Sequence, residues 1–413
     1  MPGPRLTRTR TLLYSAGSIG AGAFFAFNNF VLPQLLKAAG AGDLLTGLLS
    51  STRSIEGAII QPTIGALSDR TRTRLGRRRP YIAVGIPLSA AFFLFAAMQH
   101  DVLGLTLAII LFSIFFNAAA DPYVALLADI TMPGERGILQ GVSTGIQLVS
   151  QVAFLGLISI AVGTGSIPGW SYVLVAALMV LTFGVTVLGV REPTIADAPT
   201  PKEARLGLRG YLAELLEQRQ ALRYLAAIFV FMIGFSAVLP YLTLFITVDI
   251  GETQQVALAL AAGTLLVTAV TAVGFGKLAD RIGNKPVLVA GWTLLAVAAV
   301  GGTVIQHIPE TIAVVLLAGV GNGAATAAGW PLLVSLVPAE KTGVFAGLKA
   351  AAESIAIPAS VAVAAELFLP RFSYRGVFVL LAGAILIALF ILVQFVRPPL
   401  RDPATPIDDP AVI

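Results

Sequence analysis

Six ionisable side chains lie inside long apolar runs of this sequence: Arg53, Glu56, Asp121, Lys349, Glu353 and, near the outer end of its run, Glu366. A charge at the centre of a bilayer costs about 2.5–3.5 kcal/mol on insertion scales, so a chain that keeps such charges is expected to use them. In general, burial raises a carboxyl pKa and a nearby guanidinium lowers it. The chemistry indicated is reversible binding of a proton or a metal cation.

Two elements of this set have a spacing that suits cation binding. Arg53 and Glu56 are three residues apart and share one face of a helix. Breaking their contact would change the proton affinity of Glu56. Asp121 precedes Pro122, which removes one helical hydrogen bond, and an acid beside a broken turn is a candidate cation site. We predict that Glu56 and Asp121 carry a proton or sodium ion. The alternatives are a purely structural ion pair and an Asp that bonds the freed backbone.

Lys349 and Glu353 are four residues apart on another predicted helix. They could reach across a cavity and form a charge network between two halves of the chain. The alternative is that Lys349 extends to the inner membrane surface, because long cationic side chains place their charge in water.

Amide and aromatic side chains in the apolar runs are candidates for binding a substrate. Aromatic rings stack on the C–H faces of pyranoses, and amides bond hydroxyls, which suits a sugar. For any single residue, a hydrogen bond between helices is the competing interpretation. The candidates are Asn28, Asn29, Gln34, Tyr123, Gln147, Gln151, Tyr241, Asn322 and Trp330.

The elements that carry these residues are predicted to be transmembrane helices. Hydrophobic residues make up 57% of the 413 residues and charged residues only 12%, about half the usual share in soluble proteins. A spanning helix needs about 20 apolar residues. Twelve such spans are predicted, at 12–36, 44–67, 81–99, 102–127, 138–163, 170–190, 224–247, 254–276, 286–305, 311–335, 343–368 and 374–396. The fold class is therefore an all-α membrane protein with two six-helix bundles.

The stretch 191–223 is the one long polar interior segment of the sequence. It divides the chain into an N-terminal bundle (1–190), a central loop with an amphipathic run at 206–222, a C-terminal bundle (224–396) and a tail (397–413). The absence of cysteine and the presence of only two histidines argue against a metal site. No cofactor is expected, and we expect a monomer.

The distribution of Lys and Arg predicts the orientation. Twenty-two of them fall in the termini and loops on one side of the predicted spans, against three on the other. Because basic residues concentrate on the cytoplasmic side, both termini are predicted to be cytoplasmic in a cell membrane. The same rule explains the basic pI without a nucleic-acid partner.

An internal repeat links the two halves. Gly65-Ala-Leu-Ser-Asp69-Arg70 follows the second span, and Gly276-Lys-Leu-Ala-Asp280-Arg281 follows the eighth. Close helix approach at the glycines and hydrogen bonds to the Asp would hold the inner face closed in one conformation, and these contacts would separate in the other. A fixed orientation signal is the alternative. The predicted inner gate comprises Gly65, Asp69, Arg70, Gly76, Arg77, Arg78, Asp129, Arg136, Gly276, Asp280, Arg281 and Gly283.

These loops resemble those of the major facilitator superfamily. The stretch from Gln61 to Ile82, together with Ala125-Leu-Leu-Ala-Asp129, is similar to the sucrose–proton symporters and the wider glycoside–pentoside–hexuronide transporters. The resemblance implies cation-coupled transport of a sugar or glycoside, with Arg53, Glu56 and Asp121 in the cation and sugar site. Plant sucrose carriers have an Arg where this chain has Val124, which is a departure from the sucrose pattern.

Two other functions fit the same residues. One is a proton-coupled exporter of drugs or metabolites, and the other is a membrane protein of this shape that binds a partner without transport. The sequence has no zinc-protease motif and no nucleotide-binding loop, so it does not indicate an enzyme. The expected partners are a small sugar-like substrate, a proton or sodium ion, and the lipid bilayer.

Overall fold

A computed structural model describes residues 6–51, 55–132, 135–163, 167–192, 217–338 and 341–397. Six helices form the N-terminal half of this described chain. Helix α1 runs from Arg8 to Ala38 with a π-helical turn at Phe27–Val31. Helix α2 consists of two segments, Asp43–Leu49 and Ile55–Arg70. The others are α3 (Arg79–Ala96), α4 (Val102–Ile130), α5 (Arg136–Val162) and α6 (Trp170–Gly189).

The C-terminal half of the described chain repeats this order. Helix α7 spans Arg219–Asp249 and ends in a π-helical turn at Phe245–Asp249. It is followed by α8 (Gln254–Ile282), α9 (Asn284–Val304) and α10 (Ile308–Ser335). Helix α11 (Thr342–Val363) continues through a π-helical turn, Ala364–Phe368, into Leu369–Phe372, and α12 is Gly376–Phe395.

Most of the predicted spans correspond to these helices. Within the described ranges, ten continuous helical segments are long and apolar enough to cross a bilayer, and one of them, Val344–Phe395, combines the eleventh and twelfth predicted spans. The prediction of one continuous second span was wrong, because that helix stops at Leu49 and resumes at Ile55. Helix α7 begins at Arg219, inside the predicted central loop, and residues 193–216 of that loop lie outside the described residues.

The two ends of the helical bundle differ in charge. We call the end that holds residues 70–79, 131–132, 135–136 and 282–284 the basic end, after its arginines and lysines. The opposite end, which holds residues 39–42, 97–101 and 250–253, is called the far end.

Aromatic rings fill the core of the N-terminal half. Phe24 packs against Phe112 and Phe116, with ring centroids 4.6 and 4.5 Å away, and Phe27 contacts Phe93 at 4.9 Å. Ring pairs at these separations add stability beyond the area they bury. Helix α1, which carries two of the rings, packs against α5 and α6, so it is the centre of this half.

Glycines set equivalent helix crossings in the two halves. A Cβ on Gly85 of α3 would lie 2.9 Å from the Phe115 carbonyl oxygen of α4. A Cβ on Gly291 of α9 would lie 2.9 Å from the Gly321 carbonyl oxygen of α10. Small residues at such crossings let backbones meet closely in membranes. The repeat predicted from the loops therefore extends to the packing of the third helix on the fourth.

The halves meet along three pairs of helices. Helix α5 packs on α8, the C-terminal part of α1 packs on α7, and the Asp43–Leu49 segment of α2 packs on α11. The last two contacts lie toward the far end, and at the far end of the first pair the Ser159 hydroxyl donates to the Gln255 carbonyl oxygen at 2.9 Å.

Candidate functional site

Three polar helix faces converge toward the basic end. On α5, Gln140, Thr144, Gln147 and Gln151 recur every three or four residues and form one face. Gln151 in mid-helix is buried and Gln140 near the basic end is exposed. Because amides and hydroxyls are disfavoured against lipid, this face is assigned to a water-accessible cavity.

Helix α4 has a matching face that contains the predicted cation residue. Asn117, Asp121, Val124 and Ala128 lie on it, again at spacings of three or four residues. Asn117 is 9% exposed, Asp121 is half-buried, and Val124 is 60% exposed. The exposure again increases toward the basic end.

The C-terminal half supplies the facing helices. On α10, Asn322, Thr326 and Trp330 share a face, and Trp330, nearest the basic end, is 44% exposed. The Asn322 amide also contacts the Thr268 hydroxyl of α8 at 3.5 Å. On α11, Lys349 and Glu353 form an ion pair in which the deeper Glu353 is the more buried. In the described residues, polar or charged side chains thus lie on helices of both halves, and those on α5 and α10 become more exposed toward the basic end.

The far end is closed by a cluster around Asp43. Its carboxylate pairs with Lys37 at 2.9 Å and accepts a hydrogen bond from the Tyr374 hydroxyl at 2.9 Å. The Tyr241 hydroxyl donates to the Asp43 carbonyl oxygen at 2.7 Å. Lys37 and Asp43 belong to the N-terminal half and both tyrosines to the C-terminal half. This far-end cluster, Lys37, Asp43, Tyr241 and Tyr374, joins the halves on the side away from the opening.

Two further side-chain contacts reinforce this closure. The Gln34 amide donates to Thr247 at 3.2 Å, and the Thr243 hydroxyl donates to the Phe30 carbonyl oxygen at 3.1 Å. Gln34 and Tyr241 were predicted to line the substrate cavity. In this structure both are buried at the far end instead, where Gln34 joins α1 to α7 and Tyr241 joins α7 to the first segment of α2.

Asn28 lies at the interruption of α2. Its amide donates to the carbonyl oxygens of Ser50 (3.0 Å) and Ser51 (3.4 Å), where the first α2 segment ends. It also reaches the Asn29 side chain at 3.4 Å. Carbonyls at a helix end need partners when they are buried in a membrane. Asn28 was predicted to bind substrate, but its described contacts stabilise the break in α2. Arg53 and the side chain of Glu56, just beyond the break, lie outside the described residues.

Tyr123 is buried inside the N-terminal half rather than in the cavity. Its ring stacks on Tyr14 with centroids 4.7 Å apart, and its hydroxyl donates to the Tyr14 carbonyl oxygen at 2.9 Å. Tyr123 is two positions after Asp121, so the two side chains leave α4 on different sides. The prediction that Tyr123 lines the cavity is therefore not supported by this structure.

The predicted inner-gate residues of the first half form one charged cluster at the basic end. The Arg77 guanidinium binds Asp129 with Nε–Oδ2 at 3.0 Å, and Arg78 lies between Asp129 (3.3 Å) and Asp69. Asp129 and the other acids around Arg77 raise its pKa, chiefly because the guanidinium donates a hydrogen bond to Asp129. Arg78 also bonds Ser68 and is almost fully buried. The cluster ties the loop after α2 to the end of α4.

Glu192 completes this cluster and was not predicted. Its carboxylate accepts the backbone N–H groups of Arg77 (2.7 Å), Arg78 (3.0 Å) and Arg79 (2.9 Å) at the start of α3. An anion is favoured there because the first N–H groups of a helix lack partners within it. A Cβ at Gly76 would lie 2.5 Å from the Glu192 carboxyl carbon, and Gly76 has φ +106°. Only glycine suits this position.

The other inner-gate residues make fewer described contacts across helices. Arg136 reaches the Ala128 carbonyl oxygen at 3.4 Å, and Arg70, Asp280 and Arg281 lie at the basic-end termini of α2 and α8. Gly283 ends α8 with φ +94°. Nothing described lies within 4 Å of a Cβ built on Gly65 or Gly276. Among the described residues, no neighbouring helix therefore approaches these two glycines closely.

The sequence matches the family described as MFS/sugar transport protein over residues 13–376. The chain belongs to this family. Its members are membrane transporters rather than enzymes, and the fold is the major facilitator fold.

Two relatives and one solved structure illustrate the similarity. The lactose permease of Lactobacillus helveticus is 28% identical over 179 residues, which is 41% of this chain and 24% of the relative. The sucrose transport protein SUT4 of Oryza sativa subsp. indica is 28% identical over 158 residues, 32% of this chain and 26% of the relative. The chain thus matches about a quarter of the length of these carriers. A crystal structure of a D-xylose–proton symporter superposes with TM-score 0.69 at 15% identity, covering 94% of this chain and 98% of the other.

Sequence reasoning about this family member missed residues whose role depends on distant contacts. Glu192 follows α6, and Asp43 begins α2, so neither stands next to its partners in the sequence. Gln140 and Thr144 had a detectable signal, since they extend the spacing of Gln147 and Gln151 toward the basic end.

Replacing Glu192 with alanine should destabilise the transporter. Loss of a helix cap costs about 1 kcal/mol, and here three N–H groups lose their acceptor at once. The apparent melting temperature of the purified protein should fall for Glu192→Ala and fall less for Glu192→Gln, which keeps one acceptor oxygen. Glu310→Ala is the control, because Glu310 accepts a single backbone N–H, from Gln306. Equal melting temperatures for all three variants would contradict this role for Glu192.

Proposed function

We propose that this transporter is a proton-coupled symporter of a sugar or glycoside that works by alternating access. The N-terminal bundle (1–190) and the C-terminal bundle (224–396) would rock about a central site, joined by the loop 191–223. The basic end would face the cytoplasm, as the excess of Lys and Arg at that end indicates.

The observation that supports the proposal most directly is the difference between the two ends, which we interpret as a cavity between the halves that is open at one end only. The far-end cluster, with the Gln34–Thr247 contact, closes one end of the interface between halves. The polar faces of α4, α5 and α10 become more exposed toward the other end. A site at the deep end of such a cavity is accessible from one side, which is one of the two states that alternating access requires.

The side chains of the cavity favour an uncharged, hydroxyl-rich substrate. Gln147 and Gln151 supply donors and acceptors from the N-terminal half, and Asn322 and Trp330 supply an amide and a ring from the other. Lys349 and Glu353 pair with each other, so they add little net charge to the wall. The relatives named for lactose and sucrose transport support a sugar or glycoside.

We assign cation coupling to Asp121 and Glu56, with Arg53 as the residue that tunes them. Asp121 lies half-buried at the deep part of the α4 face, beside the proline break. A carboxylate there would gain a proton more readily when its surroundings lose water or a cationic partner. Substrate binding would change both conditions, and this links sugar movement to proton movement.

The charged cluster at the basic end is proposed as the inner gate. In the described structure it joins elements of the N-terminal half only. The open space at Gly65 and Gly276 would accommodate a neighbouring helix when the basic end closes. Asp69 and Asp280 would then accept hydrogen bonds across the halves.

Substrate-dependent proton uptake tests the proposal. Proteoliposomes should take up protons when a disaccharide or glycoside from a panel is added outside. Glu56→Gln and Asp121→Asn should remove most of this signal, because a carboxamide cannot take up and release the proton that a carboxylate carries. Glu366→Gln is the control, since Glu366 is exposed near the far end.

Three outcomes would contradict parts of the proposal. Uptake that depends on sodium and not on pH would show that the coupling ion is sodium rather than the proton. Proton release on substrate addition would indicate an exporter. Full activity of both carboxamide variants would remove Glu56 and Asp121 from the coupling site.

Replacing Gly47 with alanine should hinder far-end closure. A Cβ at Gly47 would lie 2.5 Å from Val361 Cγ1 and 2.8 Å from Tyr241 Cζ, both on the other half. Atoms cannot lie this close together, so the two halves must move apart at this point. The closed far end is then disfavoured, and transport slows. The chain has no cysteine, so the engineered pair Gln34→Cys and Thr247→Cys can report closure by disulfide formation without background.

The control for Gly47 is Gly42, on the same segment. No described atom lies within 4 Å of a Cβ at Gly42, so Gly42→Ala should leave cross-linking and transport unchanged. Cross-linking of the engineered pair that is equally fast with Gly47→Ala would show that the halves do not close by this contact.

A further inference from the structure

Two tyrosines occupy matching places in the two halves. Tyr14 lies near the start of α1 and Tyr224 near the start of α7, the first helix of each half, and both are buried. The Tyr14 hydroxyl donates to the Tyr123 carbonyl oxygen of α4 at 3.1 Å. The Tyr224 hydroxyl donates to the Gly329 carbonyl oxygen of α10 at 2.8 Å. In each half, a first-helix tyrosine therefore binds the backbone of the fourth helix.

Both acceptor carbonyls lie within one turn of a proline inside the helix. Pro122 follows Asp121 in α4, and Pro331 follows Trp330 in α10. A proline removes one N–H from the helical ladder and its ring clashes with the preceding turn. The direction of the basic-end part of each helix is then less constrained by its own hydrogen bonds. A bond from a neighbouring helix supplies the missing constraint.

The N-terminal contact is the more extensive one. The Tyr123 hydroxyl donates back to the Tyr14 carbonyl oxygen at 2.9 Å, and the two rings are nearly parallel, 5° apart. Ser18 lies 3.0 Å from the same Tyr123 hydroxyl. This reciprocal arrangement fixes the position of α4 against α1 at the proline break.

In α4, Asp121 precedes the proline and lies on a different side of the helix from the buried Tyr123. In α10, Trp330 precedes the proline and lies on a different side of the helix from the buried Leu332. Asp121 and Trp330 retain exposure, and each shares the polar face of its helix. The tyrosine contact on the buried side therefore sets where Asp121 and Trp330 point.

We propose that Tyr14 and Tyr224 are paired positioning residues. Tyr14 orients Asp121 for the coupling cation, and Tyr224 orients Trp330 to stack on the sugar ring. The inference rests on the proposed function, because it takes the roles of Asp121 and Trp330 from there. It adds that the two halves have different roles. A tyrosine contact of the same kind aligns the cation site in one half and the substrate site in the other.

The test is a pair of variants that each remove one hydroxyl and keep the ring. Tyr14→Phe should shift the proton concentration for half-maximal uptake about fivefold, as the loss of one hydrogen bond does, with the sugar KM at saturating proton within about twofold. Tyr224→Phe should do the reverse, raising the sugar KM about fivefold with the pH profile unchanged. Each variant is the matched control of the other.

Asp121→Asn and Trp330→Phe in the same assay separate the two levels of inference. An unchanged pH profile in Asp121→Asn would sink the proposed coupling site itself. If uptake loses its pH dependence in Asp121→Asn but keeps the normal pH dependence in Tyr14→Phe, the positioning role of Tyr14 is overturned and the coupling site is not. Equal shifts of both parameters in either phenylalanine variant would also overturn it, because a general loosening of the fold predicts that result. If Tyr14→Phe does not fold, Ser18→Ala, which loosens the same contact, should shift the pH profile in the same direction.

Discussion

Every polar backbone group inside the bilayer needs a partner from the protein, and the positions of the helix breaks in this transporter follow from that constraint. Lipid offers no hydrogen bonds, so an interrupted helix survives only where another element binds the freed groups. Asn28 does this for the end of the first α2 segment, and Tyr14 and Tyr224 bind α4 and α10 beside their prolines. In both halves, side chains of the first helix therefore bond the backbone of a neighbouring helix, at the end of the first α2 segment or beside a proline inside a continuous helix. This gives α1 and α7 their central role, since they also meet each other at the far end.

The same constraint decides which residues face the cavity. Once the buried sides of α4 and α10 are held by the tyrosines, the remaining polar faces can point only to water or to the other half. Asp121 and Trp330 stand in equivalent places, directly before the two prolines. The same contact between a tyrosine and the backbone beside a proline therefore presents an acid from one half and an aromatic ring from the other. Under the proposed function, this duplicated geometry with different side chains would supply a cation ligand from one half and a ring for the sugar from the other.

Much of the fold could be predicted from the sequence, because apolar length and basic loops are local signals. The fourth helix with Asp121, the spacing of Lys349 and Glu353, and the basic cluster of Arg77, Arg78 and Asp129 were all predicted by position. The break in α2 was missed, since an interrupted apolar run has the same composition as a continuous one. Tyr123 was misplaced because polarity in an apolar run does not reveal which side of the helix is buried. Asp43 and Glu192 were not predicted, since their partners lie far away in the sequence.

The two ends of the interface also impose different chemistry on the transport cycle. At the far end, the described side-chain bonds between the halves have neutral donors, namely two tyrosine hydroxyls, an amide, a threonine and a serine, and one of their acceptors is the Asp43 carboxylate. Such bonds can be exchanged for bonds to water at small net cost, about 0.5–1.5 kcal/mol each. At the basic end, the charged cluster remains satisfied within the N-terminal half while the cavity is open. Opening the basic end therefore leaves no buried charge without a partner in that cluster. A closure of modest strength at one end and a self-contained charge cluster at the other keep the two states close in free energy, so that binding of substrate and cation can decide between them.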